Sequence, residues 1–341
     1  MGAPQHPRLA IVGATGAVGA VMIECLHERG LWDESVRLFA TSRSAGRVID
    51  GVTVQALEDD TDVSGIDIAL FSAGAGTSLR WAPRFVAAGA TVVDNSSAFR
   101  RDPDVPLVVA EVNPHALRSV GPTGPKIIAN PNCSTMQLMV AVAPIHRAVG
   151  INRLVVSTYQ SVSGTGKKAL DELDAQARAD LAGETLPAPA VYPEQIAFNV
   201  IGAAGSFPDG DDHTDEERKM MFETCKILED DAVAVAVTCV RVPVRICHSE
   251  SVNIETREPL SVERARELLA DAPGVILEDV PSPARAAGRD EVFVGRLRRD
   301  STHPHGLAMF VVADNLRKGA ATNTVQIAEL LGAGAPGLAI G

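Results

Sequence analysis

The chain has no long apolar run, no closely paired cysteines and no excess of positive charge, and each lack removes a class of function. No apolar stretch approaches the roughly 18 residues that span a bilayer, and mean hydropathy is only +0.10, so no membrane association is expected. The longest such run, Ala232 to Val240, is rich in valine and bounded by Asp231 and Arg241. It reads as a buried strand. Met1 to Arg8 is polar and runs straight into a strand, without the apolar core of a secretory signal. The five cysteines, Cys25, Cys133, Cys225, Cys239 and Cys247, are odd in number, irregularly spaced and form no CxxC pair. That argues against a zinc site or a disulfide framework, and no metal is expected. A reducing cytoplasm suits such cysteines. The net charge of −12 repels nucleic acid and anionic lipid, so neither is an expected partner. Local basic residues can still draw an anionic substrate into a cleft. There is no internal repeat and no low-complexity segment.

What is present points to two domains. The 341 residues suffice for two, and 46% apolar composition supplies a sizeable core. Strands are expected over Leu9–Gly13, Val36–Ala40, Ile66–Ser72, Thr91–Asp94 and Lys126–Ala129, with helices over Ala17–Arg29 and from about Ser78 to Ala88. Such alternation implies a mostly parallel sheet covered on both faces. After Cys133 the rhythm changes. Helices are expected over Ser134–Val149, Lys167–Leu181 and Thr214–Leu228. Strands are expected over Arg153–Gln160, Val233–Val242, Ser251–Thr256, Glu291–Leu297 and Leu307–Ala313. Fewer helices per strand suggest an α+β domain with an antiparallel or mixed sheet. A last helix, Leu316–Leu331, resembles the early ones and is expected to return to the first domain. The division is therefore 1–131 plus 315–341 against 132–314. The segments Gly202–Asp212 and Pro281–Gly288 read as flexible insertions.

Two local patterns carry chemistry. Gly13-Ala14-Thr15-Gly16-Ala17-Val18-Gly19 follows a strand and opens a helix. Gly13 permits a tight turn, Gly16 lets the backbone approach a pyrophosphate, and Gly19 lets helix and strand pack closely. The helix start adds free N–H groups and a positive dipole. The second strand ends in Ala40-Thr41-Ser42-Arg43-Ser44. No acidic residue stands there for ribose hydroxyls, and the Ser42, Arg43, Ser44 cluster suits a 2′-phosphate, which favours NADP. In Asn130-Pro131-Asn132-Cys133-Ser134-Thr135, Pro131 and Asn132 stop a strand and Cys133 falls at a helix start. The dipole and free N–H groups there lower a thiol's pKa and make it a nucleophile. Cys25, Cys225 and Cys239 read as small buried hydrophobes. Thr214-Asp215-Glu216-Glu217 is a capping-box pattern, with Thr214 as N-cap and Glu217 at N3.

Four segments then resemble aspartate-semialdehyde dehydrogenase, in that family's order. They are Pro131-Asn132-Cys133-Ser134-Thr135, Tyr159-Gln160-Ser161-Val162-Ser163-Gly164, Asp94-Asn95-Ser96-Ser97-Ala98-Phe99-Arg100, and Arg241-Val242-Pro243-Val244 with His248-Ser249-Glu250. The resemblance runs from Leu9 to about Leu331 and is to the type common in Gram-positive bacteria and actinobacteria. It implies an N-terminal Rossmann-type, doubly wound α/β domain and a second α+β catalytic and dimerisation domain. It implies NADP-dependent, reversible oxidative phosphorylation of L-aspartate 4-semialdehyde to L-4-aspartyl phosphate in amino-acid biosynthesis. Cys133 would attack the aldehyde, His248 would be the acid–base partner, exchanging a proton near pH 7, and Gln160 would orient the covalent intermediate. Arg241 would grip the substrate carboxylate and Glu216 its ammonium. Arg100 and Lys219 would bind inorganic phosphate or the acyl phosphate, and Asn132 would join the substrate contacts. Ser72, Ala73, Gly74, Ser163, Gly164 and Asn323 would add to the cofactor site. A homodimer is implied, with a homotetramer as the alternative. Two departures stand out. Cys247 precedes His248 where the family has glycine or another small residue, and it is expected to fill space. Pro208-Asp209-Gly210-Asp211-Asp212 departs from the family's loop. N-acetyl-glutamyl-phosphate reductase shares the implied fold and mechanism, and a catalytically silent paralogue is the alternative of another class.

Overall fold

A computed structural model describes residues 7–121 and 126–332. It divides into two compact units. Of the described residues, those up to Pro131 and from Ala320 onward form one, and Asn132–Gly319 form the other. The ends of the expected first domain, 1–6 and 333–341, lie outside the described residues.

The first unit is built on β1 (Leu9–Val12), α1 (Ala17–Glu28), β2 (Arg37–Ala40), β3 (Val48–Ile49), β4 (Val52–Ala56), β5 (Ile68–Phe71), α2 (Ala75–Ala87), β6 (Thr91–Asp94) and β7 (Ile127–Ala129). The strands lie in the order β3-β4-β2-β1-β5-β6-β7. All pairings are parallel except β3 with β4. β1 and β5 are apolar at every position and wholly buried, as a strand covered on both faces must be. One apolar cluster joins α1 to the last helix of the chain through Met22, Leu26, Val325 and Ala328. Another packs Trp81 and Phe85 of α2 on Phe39 and Phe71. The chain leaves β1 toward β2 and later returns on its other side as β5. Between those two strands lies a topological switch point, where ligands of such sheets bind.

The second unit holds α3 (Cys133–Val149), β8 (Ile151–Gln160), α4 (Lys167–Ala182), α5 (Asp215–Leu228), β9 (Ala234–Arg241), β10 (His248–Thr256), α6 (Val262–Ala270), β11 (Val275–Leu277), α7 (Pro283–Ala286), β12 (Val292–Arg299) and β13 (Gly306–Ala313). Its sheet is mixed, in the order β11-β12-β13-β10-β8-β9. Parallel pairs lie at both edges, and antiparallel pairs lie between them. Along β10 the burial alternates strictly beyond Glu250, as expected of a sheet with one face on the core. That face is covered by α3, which packs across β8, β10, β12 and β13 and is apolar almost all round.

Several expectations shift. β10 begins at His248 instead of residue 251, so His248 is a strand residue. Pro281–Gly288 is not a free insertion. Ala286 is buried, Arg285 pairs with Glu278, and Gly288 N–H donates to Asp314 at 2.8 Å. The final helix, α8 (Thr322–Gly332), starts six residues later than expected, after a π-turn over Arg317–Ala321. There Asp314 caps Leu316 and Arg317, while Asn315 bonds within the second unit. The return to the first unit therefore falls at Ala320 instead of residue 315.

Gly19 tests the tight turn. A Cβ there would stand 2.3 Å from the Gly13 carbonyl oxygen, whereas one at Gly76 would meet nothing within 4 Å. Gly19→Ala is expected to cost about 1–3 kcal/mol through forced backbone shifts. Gly76→Ala, inside α2, is expected to be neutral or stabilising. Thermal denaturation of both variants checks the pair.

Candidate active site

The first unit carries a cleft of about 620 Å³ at the switch point. Its walls include Gly13, Thr15 and Gly16 from the β1–α1 turn, Ser72, Ala73 and Gly74 ahead of α2, and Thr41 after β2. Gly13 has φ +91°, and a Cβ on it would stand 2.3 Å from the Ser72 carbonyl oxygen. Two helix starts thus share one crevice, and neither tolerates a side chain at Gly13. This shape fits a dinucleotide pyrophosphate. The 42–44 segment forms a 3-10 turn on which Arg43 is exposed and Ser44 accepts a hydrogen bond from Thr15 at 3.2 Å. Thr77, Arg80 and Trp81 also line the cleft, which a glycine pattern around α1 alone had no way to announce. Ala17 sits exposed at the first turn of α1, and Val18 packs on the core; neither lines the cleft. Asn323 does not line it either. It is fully buried, its Nδ2 donating to Val108 O and Asn130 Oδ1, and its Oδ1 accepting from Ala110 N–H. Arg100, nearly buried, donates to the Asn95 carbonyl at 2.7 Å.

In the second unit Asn132 caps α3. Its Oδ1 accepts from the Ser134 and Thr135 amides at 3.0 and 3.2 Å, which leaves Cys133 as the first helical residue. Its Nδ2 donates to Glu216 at 2.6 Å and its backbone N–H to Glu223 at 2.7 Å. Asn132 is therefore a bracket for the start of α3, with both ends of its carboxamide engaged. Glu216 also meets Lys219 at 3.1 Å, and Lys219 meets Asp215 at 2.7 Å. The capping box forms as read, with Thr214 N–H on Glu217 at 2.9 Å and Glu217 N–H on Thr214 at 3.2 Å. Glu217 additionally accepts from Cys239 N–H, which leaves Glu216 to face Asn132. The unusual 208–212 loop is tied to α5 by a two-bond pair between Asp211 and Arg218 at 2.6 and 2.7 Å.

The sheet register gathers the remaining residues. Gln160 lies abreast of Arg241, and one step past the Ser249–Tyr159 pair it lies abreast of His248. All three are buried. Among the described residues, Gln160 Nε2, Arg241 Nε and His248 Nε2 are buried without a hydrogen-bond partner. Three unmatched nitrogens at neighbouring strand ends mark a place suited to a ligand. Gly164 lies over this row, since a Cβ on it would stand 3.3 Å from His248 Nε2 and 3.7 Å from an Arg241 nitrogen. Gly164 thus borders His248 within the second unit, and Ser163 connects to it through the Ser161 hydroxyl. Gly319 packs on Cys133, its absent Cβ falling 2.9 Å from the cysteine Cβ.

Burial, aided by the Arg241 charge, pulls His248 from the usual imidazole range down to about 3. The resting ring is therefore neutral at pH 7. Cys247 takes φ +77°, a left-handed conformation that favours glycine. Its thiol is pushed up by burial and packs with Ala286, Phe293 and Val312, so it fills space as expected. One row behind the site, Thr158 is paired with Glu250 and with Cys239, and all three are fully buried. Neither Glu250 oxygen has a partner with hydrogen-bond geometry among the described residues. Burial pushes this carboxyl well above its ordinary range, and the Gln137 amide offsets only part of that.

A glycine-lined nucleotide cleft in one unit and a helix-start cysteine above a mixed sheet in the other define the semialdehyde dehydrogenase class. "Semialdehyde dehydrogenase, NAD binding domain" matches residues 8–120, and "Semialdehyde dehydrogenase, dimerisation domain" matches 142–318. An aspartate-semialdehyde dehydrogenase of Aquifex aeolicus is 52% identical over 334 residues, covering 95% of this chain and 97% of its own. The crystal structure of aspartate semialdehyde dehydrogenase II complexed with ASA from Vibrio cholerae superposes with TM-score 0.90 at 47% identity, covering 96% of this chain and 98% of its own. That of the Candida albicans enzyme with NADP gives 0.73 at 26% identity, covering 96% and 98%. The chain belongs to the aspartate-semialdehyde dehydrogenase family and is an oxidoreductase.

Glu250 gives a stability test. A carboxyl whose pKa is raised by folding contributes most below its unfolded value and loses that contribution as pH rises through the folded one. Each tenfold change in proton affinity is worth about 1.4 kcal/mol. Glu250→Gln should therefore melt higher than the parent at pH 8, with the gain vanishing near pH 4. Calorimetry at the two pH values decides it.

Proposed function

We propose that the protein catalyses the reversible, NADP-dependent oxidation of L-aspartate 4-semialdehyde with inorganic phosphate, giving L-4-aspartyl phosphate. The reading rests on one observation above all. Among the described residues, Gln160 Nε2, Arg241 Nε and His248 Nε2 are buried without a protein partner, although Arg241 Nη1 donates to the Ser161 carbonyl at 2.6 Å, in the same unit as a cysteine held at a helix start. The Cys133 thiolate adds to the aldehyde carbon, forming a C–S bond and placing negative charge on the former carbonyl oxygen. NADP, when bound, supplies the hydride acceptor that converts this adduct to a thioester. A phosphate oxygen then attacks the thioester carbon, the C–S bond breaks and the thiolate returns. Gln160 Nε2 and His248 Nε2 are placed to hold the substrate oxygen. Arg241 serves the α-carboxylate, with a planar fork suited to it, and Glu216 serves the ammonium. Lys219 and Arg100 are the candidate cations for phosphate.

NADP, in place of NAD, is supported by Arg43 standing exposed beyond β2, with Thr41 instead of an acid lining the cleft. The face of the six-stranded sheet away from α3 carries Val155, Tyr159, Val240 and Phe310, none of them fully buried. We assign this face to a second copy of the chain, giving a homodimer. The Gram-positive and actinobacterial subtype rests on the four signature segments. A cytoplasmic location fits a chain in which, among the described residues, no helix is long and apolar enough to cross a membrane.

Mixing the protein with NADP, phosphate and aspartate semialdehyde should raise NADPH absorbance. Cys133→Ala should abolish this while Cys25→Ala retains it; turnover by the first variant would remove the nucleophile assignment. Arg43→Ala should weaken NADP more than NAD by about 1.5–3 kcal/mol, the usual worth of a charge-assisted bond. Equal losses for both cofactors would show that another group reads the 2′-phosphate.

A further inference from the structure

Three stretches distant in sequence meet behind His248. Ser161 follows β8, Cys247 precedes β10, and Asn315 follows β13. The Ser161 backbone N–H donates to His248 Nδ1 at 3.0 Å, and the Ser161 hydroxyl lies 3.2 Å from the same atom. An amide N–H has no acceptor form, so Nδ1 must present its lone pair. A neutral ring then carries its proton on Nε2. A proton on Nδ1 would set two N–H groups against each other.

Asn315 joins all of these parts. Its Oδ1 accepts from Cys247 N–H at 2.9 Å and lies 3.1 Å from the Ser161 hydroxyl. Its Nδ2 donates to Ser163 Oγ at 2.9 Å, and the two serine hydroxyls are 3.0 Å apart. Asn315 is itself 3% exposed. Its carboxamide thus holds the left-handed residue just before His248 and the serine whose amide reads the ring. Gly319 packs between Asn315 and Cys133, with its absent Cβ 3.5 Å from the Asn315 Cβ.

We infer that Asn315 is a positioning residue which, through Ser161 and Cys247, holds His248 as the neutral tautomer protonated at Nε2. His248 in the resting enzyme is then a hydrogen-bond donor toward the oxygen of the Cys133 adduct, not the acceptor of the cysteine proton. A fixed donor aimed at developing negative charge needs no proton to change owner in that step. The inference rests on the proposed placing of His248 in the active site.

The test uses full-length protein labelled with 15N-histidine and long-range proton–nitrogen spectra. The His248 signals are those lost in His248→Asn. Near pH 7 the unmodified protein should show an unprotonated Nδ1 and a protonated Nε2. Asn315→Ala should shift these signals toward a tautomer mixture. It should also lower kcat by about 10²-fold, the usual cost of a misplaced group, with KM for the semialdehyde nearly unchanged. Protonation at Nδ1 in the unmodified protein overturns the inference, and so do unshifted nitrogen signals in Asn315→Ala. If that variant fails to fold, the parent spectrum still decides the tautomer. The spectra need no substrate, so a wrong substrate assignment would appear in the turnover assay alone.

Discussion

Ser249 of β10 stands opposite Tyr159 of β8, and the second unit depends on that register. Side chains alternate between the faces of a sheet, so a slip of one residue would exchange the two rows completely. His248, Glu250, Val252 and Ile254 would leave the face under α3, and Ser249, Ser251 and Asn253 would enter it. The apolar members, Val252 and Ile254 with Leu154 and Val156 across from them, are buried and resist the slip. Core packing near the middle of the strands thereby sets the position of the polar groups at their ends. The same register brings Gln160 level with Arg241, because β9 runs parallel to β8.

The helix above the sheet is anchored as firmly, by polar contacts. Asn132 closes the first turn of α3, and Glu223 and Glu216 of α5 hold Asn132 from the other side. Cys133 is therefore fixed by a neighbour's contacts. The layer behind carries the cost. Gln137, one turn after Cys133, and Glu250, two residues after His248, are buried with their polar atoms lacking matched partners. Buried unmatched groups cost stability. Here they cluster behind the proposed chemistry, the usual place for such exceptions.

Much of this was legible from short-range pattern. The strand–glycine–helix turn, the capping box at Thr214 and the cysteine behind an N-cap each announce themselves within seven residues, because the physics that makes them is local. The resemblance supplied His248, Gln160 and Arg241, which no spacing rule connects. What stayed hidden is long-range or brief. Asn315 lies 154 residues from Ser161 in sequence, and an isolated asparagine after a strand reads as a turn. The β3–β4 ribbon is too short for a period of two to show. α6 is only nine residues long and rich in charge. The late start of α8 comes from Asp314, whose side chain caps residues that propensity alone would place in the helix.

The group that reads the His248 ring most directly is a peptide N–H. Side-chain substitution at Ser161 leaves that N–H in place, and only proline removes it. An alanine scan would therefore pass over the contact and score the position by its hydroxyl alone. Replacing the peptide bond before Ser161 with an ester would delete the donor while sparing every side chain. Drift in sequence at Ser161 can likewise leave the orientation of the histidine intact, since the backbone carries that information.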